Sequence, residues 1–144
     1  MEWYKKYSVI SVEDPFDQEA WDSWSKFTQE YGKMGMVVGD DLLTTNVERI
    51  KMGIEKKAIN TVLIKPNQIG TISETLQAIR VAEDNGLNSI ISHRSGETND
   101  SFIADLVVGT PSKFAKFGGL NRGERLSKYN RLLEIEKTLT KILT

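Results

Sequence analysis

A chain of 144 residues with 39% hydrophobic content has the length of one ordinary domain and enough apolar side chains to build a core, and nothing in it carries the bias of a disordered segment. Nineteen basic against twenty acidic residues leave a net charge of −1, so no general attraction to nucleic acid or to an anionic membrane is implied. The absence of cysteine excludes disulfides and thiolate metal sites, and with no long apolar run and no signal-type stretch over residues 1–7 the expected setting is cytoplasmic, with neither nucleic acid nor membrane as partner.

In chain order, Tyr7 to Val12 is a short β-rich run that stops at Glu13-Asp14-Pro15, where the proline withdraws a ladder hydrogen bond. Trp21, Trp24, Phe27 and Tyr31 recur at helical spacing, and the region from Gly32 to Gly35 closes that helix. Met36-Val37-Val38-Gly39 reads as a second, buried strand ending at Asp40-Asp41. Thr45 and Glu48 have capping-box spacing ahead of a helix whose apolar face is Val47, Ile50 and Ile54. Thr61-Val62-Leu63-Ile64 is the third strand and ends at Lys65-Pro66. Thr71 to Glu74 is a second capping box, opening a helix that turns Ile72, Leu76, Ile79 and Ala82 inward and is stopped by Asn85-Gly86.

The fourth strand, Ser89 to Ile91, runs into Ser92-His93-Arg94-Ser95-Gly96-Glu97-Thr98, which concentrates the chain's one imidazole, a guanidinium and hydroxyls in a few residues. Such a loop suits a small anion, because an arginine offers phosphate or carboxylate a planar fork of donors; its plainer reading is a polar loop that caps the next helix. Ile103, Leu106 and Val107 mark a short helix, Lys113 to Phe117 a weaker fifth strand, and a last amphipathic helix begins near Arg122 with Leu126, Tyr129 and Leu133, and Leu132, Ile135 and Leu139, as its buried stripes.

Strands that alternate with helices, with no hairpin signal between neighbours, demand parallel pairing through helical crossovers, hence an α/β architecture. Each strand ends on an ionisable residue: Glu13, Asp40, Lys65, His93 and Lys116. Taken singly, a charged residue after a strand is a cap or a solvated turn. A parallel barrel delivers all such positions to one rim, where the loops after the strands carry the chemistry. Two carboxylates, two lysines and a His-Arg pair on one rim suit a hard divalent cation together with an anionic substrate.

The same residues carry a family resemblance. Ser11-Val12-Glu13-Asp14-Pro15-Phe16-Asp17, Val38-Gly39-Asp40-Asp41-Leu42, Leu63-Ile64-Lys65-Pro66-Asn67-Gln68-Ile69-Gly70 and the His93 loop resemble, in order, successive signatures of enolase, and Glu124 to Glu136 resembles that family's final helix. The resemblance implies a partial TIM-type barrel of about five parallel β/α units, forming one domain over residues 1–144 and equivalent to the carboxyl-terminal third of an enolase. It implies Glu13 and Asp40 as two of three magnesium carboxylates, Lys65 as the base that removes the α-proton of 2-phosphoglycerate, Lys116 as the second active-site lysine, and His93, Arg94 and Ser95 as substrate contacts, the last two on the phosphate side. A lysine or histidine base with one or two magnesium ions is the established pattern of that superfamily. Pro66 and Phe117 depart from it, standing where the family commonly has valine or leucine and threonine.

The resemblance leaves the family's amino-terminal capping domain, three strands, the third carboxylate and the acid-catalytic glutamates without counterparts here. Five parallel strands cannot close an eight-strand barrel, so the outer strands are expected to seek a partner, further copies of the chain or a separate amino-terminal enolase part, or the sheet to rearrange into an open doubly wound form. The expected function is the carboxyl-terminal portion of a magnesium-dependent lyase forming phosphoenolpyruvate from 2-phosphoglycerate, inactive alone. The alternative is a non-catalytic module that binds a small phosphorylated carboxylate or a protein.

Overall fold

The computed structural model describes residues 2–143, which fall into two compact units, Met1–Ser89 and Ile90–Thr144. The first unit opens with helix α1, Glu2–Lys6, and then alternates strands β1, Ser11–Glu13, β2, Met36–Gly39, and β3, Thr61–Ile64, with helices α2, Trp21–Tyr31, and α3, Val47–Glu55. After β3 come one turn of helix, α4, Pro66–Ile69, and a longer helix, α5, Ile72–Asp84, before strand β4, Asn88–Ser92, whose latter part lies in the second unit. The second unit continues with α6, Phe102–Val108, β5, Phe114–Lys116, and α7, Gly123–Leu143.

Pairing is parallel. Val12 stands opposite Val37 and Glu13 opposite Val38 between β1 and β2, Gly39 opposite Val62 between β2 and β3, and Ile91 opposite Ala115 between β4 and β5. All four residues of β3 are buried, which is what a strand covered on both faces requires and why it reads as an unbroken apolar run rather than an alternation. β5, by contrast, is exposed at each of its three positions.

Local chemistry explains where the elements start and stop. Asn46, not Thr45, caps α3, its side-chain oxygen accepting from the backbone N–H groups of Glu48 and Arg49 at 2.9 and 3.2 Å. Thr71 does cap α5, accepting from Glu74 N–H at 3.2 Å and donating to the Glu74 carboxylate at 2.5 Å, so that box is reciprocal at the side chains. Pro66, the departure at β3's end, sits at the first helical position of α4, where a missing N–H costs nothing. Gly39 is required by packing: a Cβ there would lie 2.8 Å from Cγ and Cδ1 of Leu43.

The amino ends of β2 and β3 are tied by Asn60. Its side-chain oxygen accepts from Val37 N–H at 2.7 Å, while its amide donates to the carbonyls of Gly32 and Gly35, each at 2.9 Å. One residue therefore satisfies the turn after α2 and the start of β2 together. Above it the core is built from Trp24, Val37, Val38, Leu42, Leu43, Ile50, Val62, Leu63 and Ile79, all essentially inaccessible.

In the second unit the expected apolar stripes of α7 do not hold. Leu126, Leu133 and Leu139 are exposed, and the residues the helix buries include Arg125 and Lys128. Phe117, the other departure, is buried and meets Tyr129 edge to face at 5.8 Å between ring centroids. α6 and α7 are joined by Arg131, whose guanidinium donates to both carboxylate oxygens of Asp105, at 2.7 Å from Nη2 and 3.0 Å from Nε.

Two stability experiments check this description. Trp24, fully buried with Nε1 donating to the Asp17 carbonyl at 3.0 Å, loses about 3–5 kcal/mol of unfolding free energy as Trp24→Ala, read from the urea midpoint. The Arg131 guanidinium, by hydrogen bond and then by charge, holds the Asp105 carboxyl below its usual 3.8. Its stabilisation is thus complete above pH 3.8 and fades as pH falls through the lowered native value, so Asp105→Asn flattens the acid limb of a melting-temperature profile.

Candidate functional site

In the first unit the polar groups gather where β2 and β3 end. Asp40 is only 6% exposed although it follows the strand directly, because Leu42 and Leu43 turn back into the core behind it. Its Oδ2 accepts from Lys65 Nζ at 2.5 Å, and Oδ1 accepts from Gln68 Nε2 at 3.3 Å. Lys65 and Gln68 reach the same carboxylate because α4 is a single turn placed directly after β3: the Gln68 N–H donates to the Lys65 carbonyl at 2.9 Å. Buried Thr45 closes this network. Its hydroxyl oxygen accepts from Lys65 N–H at 2.9 Å and its proton goes to Gln68 Oε1 at 2.8 Å.

The Asp14 carboxylate reaches the same place from β1. It accepts from the N–H groups of Asp40 and Asp41, at 2.9 Å each, and thereby ties the turn after β2 to the turn after β1. Asp14 adopts a positive φ of 44° to do so. Burial raises its pKa above the usual 3.8, the two N–H donors oppose that rise, and the carboxylates of Asp40 and Asp41 add to it. Oxygens of Asp14, Asp40 and Asp41 lie within 4.8 Å of one another. Glu13 is exposed at the end of β1 and is not a member of that group, while Asp40 and Lys65 are in direct contact. Carboxylate and amide oxygens are hard donors, so the chemistry of this set fits magnesium or calcium and not a thiophilic metal.

In the second unit His93, Arg94 and Ser95 are held by α7. Arg125, 9% exposed, places Nη1 2.5 Å from His93 Nδ1 and 2.8 Å from the Arg94 carbonyl, and donates from Nη2 to the Ser95 carbonyl at 3.0 Å. One turn on, Lys128 is 1% exposed and donates to the Thr98 carbonyl at 2.5 Å, with Glu97 Oε1 3.6 Å away. Glu97 accepts in turn from the N–H groups of Arg94 and Thr98 at 3.2 and 3.0 Å, so the loop folds around its own carboxylate.

Lys116 ends β5, is exposed, and accepts at its carbonyl from His93 N–H at 2.9 Å. Past it the backbone turns at Gly118 with φ of 84°, and a Cβ at that position would stand 2.9 Å from His93 Cε1 and 3.0 Å from Arg125 Cδ. Only glycine lets the chain pass so close. The Tyr129 hydroxyl donates to the Gly118 carbonyl at 2.5 Å and fixes the turn.

Arg125, Lys128, Thr45 and Gln68 are given no role in the site by the sequence, where Thr45 reads only as a helix cap. A signal was there for the first pair, since cations three residues apart share a helix face. Gln68 follows Lys65 by the same interval across one turn.

The description "Enolase, C-terminal TIM barrel domain" matches residues 1–143. The enolase of Elusimicrobium minutum (strain Pei191) is 53% identical over 139 residues, which make up 96% of this chain and 33% of that protein. The chain therefore spans about a third of the length of this relative. Its architecture is α/β, a partial TIM-type barrel of five β/α units. Among the described residues no helix is long and apolar enough to cross a membrane.

The Thr45 junction has a direct test. Thr45→Val preserves volume but leaves Lys65 N–H and Gln68 Oε1 without this partner inside the protein. It costs about 1–3 kcal/mol in urea unfolding, and hydrogen exchange at the Lys65 amide accelerates more than that of the Asn60-bound Val37 amide.

Proposed function

The chain belongs to the enolase family, and we propose that it forms the carboxyl-terminal portion of a magnesium-dependent lyase that dehydrates 2-phosphoglycerate to phosphoenolpyruvate, with the remaining part of an enolase needed for turnover. The setting is cytoplasmic and the domain is a single partial barrel. The observation that carries the reading is the contact of Lys65 Nζ with Asp40 Oδ2, 2.5 Å apart at the ends of neighbouring parallel strands. An amine and a carboxylate so placed give one group that moves a proton and one that holds a cation.

In this reading Lys65 removes the α-proton of 2-phosphoglycerate. A proton beside a carboxylate is weakly acidic, and the dianion left behind needs concentrated positive charge. Bound magnesium, for which Asp40 and, by the family resemblance, Glu13 would supply oxygens beside the grouped Asp14 and Asp41, would contribute that charge as a Lewis acid. Lys116 adds a second cation on the carboxylate side, and His93, Arg94 and Ser95 retain the phosphate with donors. Thr45 and Gln68 act through Lys65 and Asp40 by fixing both chains of the pair. The acid that assists departure of the hydroxyl comes from the remainder of the enolase.

A non-catalytic module that binds a small phosphorylated carboxylate is the second reading, favoured by the exposure of Glu13 and its place outside the carboxylate group of Asp14, Asp40 and Asp41. Supplying the chain with the rest of an enolase separates the two. On the catalytic reading the mixture converts 2-phosphoglycerate in the presence of magnesium, and Lys65→Ala in the same mixture lowers kcat by roughly 100- to 10,000-fold without weakening assembly. A stable assembly that binds phosphoenolpyruvate but never turns over 2-phosphoglycerate overturns the catalytic reading.

A further inference from the structure

We infer that Arg125 is a positioning residue that holds His93 as the neutral ring protonated at Nε2 and fixes the backbone presenting Arg94 and Ser95; its consequence for substrate rests on the reading above. The argument is one of donors and acceptors. Arg125 Nη1 stands 2.5 Å from His93 Nδ1, and a guanidinium has no acceptor. Nδ1 must therefore accept, and a neutral imidazole whose Nδ1 accepts carries its hydrogen on Nε2. An imidazolium would set two donors against each other at that distance. The ring's one N–H is then Nε2–H.

The remaining Arg125 donors bind the Arg94 and Ser95 carbonyls at 2.8 and 3.0 Å, so one buried guanidinium sets the ring's proton and the path of the two residues after it. Gly118 completes the clamp by leaving room for ring and guanidinium alike, at 2.9 and 3.0 Å from where its Cβ would be. The charged groups around this site are Arg94 and Glu97 on the His93 loop, Lys128 and Arg125 on α7, and Lys116 on β5; Glu97 is engaged by the Arg94 and Thr98 amides and by Lys128. A lysine in place of Arg125 has one nitrogen and cannot span an imidazole and two carbonyls.

His93 is the only histidine, so its ring nitrogens are observable without assignment ambiguity in a nitrogen-15 spectrum of the chain. In the unaltered chain near neutral pH, Nδ1 resonates as an unprotonated nitrogen and Nε2 as a protonated one, with scalar coupling from an arginine N–H across to Nδ1. In Arg125→Met the two nitrogens move toward exchange-averaged values, and the ring's titration midpoint shifts upward because a like charge and an opposed donor have gone. An Nδ1-protonated ring in the unaltered chain overturns the inference, and so does a missing cross-bond coupling, a measurement that needs no variant to fold. Unchanged ring spectra and midpoint in a folded Arg125→Met chain do the same. In the assembled lyase, Arg125→Met raises KM for 2-phosphoglycerate several-fold more than it lowers kcat. Because the ring state is read without turnover, a failure of the lyase reading leaves the tautomer result standing, and an active lyase with the wrong tautomer removes the inference alone.

Discussion

The parallel register of β2 on β3 is the constraint from which the first unit's chemistry follows. With Gly39 opposite Val62, the residue after β2 and the residue after β3 leave the sheet on the same side, two positions out of step. A lysine side chain is long enough to cover that offset, and Lys65 reaches back to Asp40. Slip the register by one and Asp40 would face the wrong way, since alternate residues of a strand point to opposite faces. What prevents the slip lies at the other end: Asn60 binds Val37 and the carbonyls of Gly32 and Gly35, a set of partners that exists in one alignment only.

The ion pair of Asp40 and Lys65 is largely withdrawn from water, and such pairs stabilise a fold little once desolvation is counted. Its persistence is better explained by placement than by stability. Thr45 and Gln68 extend the same logic, because they spend their hydrogen bonds on keeping a lysine and a carboxylate still. Asp14 does comparable service for the turn after β2, and its backbone's positive φ is the strain accepted to bring the carboxylate under two N–H groups.

Much of the architecture was legible in the letters because it depends on local pattern. Met36–Gly39 and Thr61–Ile64 are read with their observed bounds, as are the aromatic helix from Trp21, the Thr71 cap and the stop at Asn85-Gly86. α3 is capped by Asn46 and not by Thr45, although both are good caps, because Thr45 is claimed by Lys65 and Gln68, partners far along the chain. α7 misled for a related reason. Leucine periodicity suggests a packed stripe, but the helix turns its cations inward because backbone carbonyls of the His93 loop wait there to be satisfied. At the candidate site, that Asp40 and Lys65 follow strands was plain; that they touch, and that Asp14 joins Asp40 rather than Glu13 doing so, depends on register and turn geometry, which no spacing reveals.

The inward-facing ammonium of Lys128 has a further bearing on how the last helix sits. A cylinder seated on leucines alone rolls by a residue with little penalty, since one greasy contact resembles the next. Rolling this one would pull a charge off the Thr98 carbonyl and Glu97 and press it into hydrocarbon, with no water to replace what it lost. The helix thus has a single seating, keyed by polarity as a pin keys a shaft.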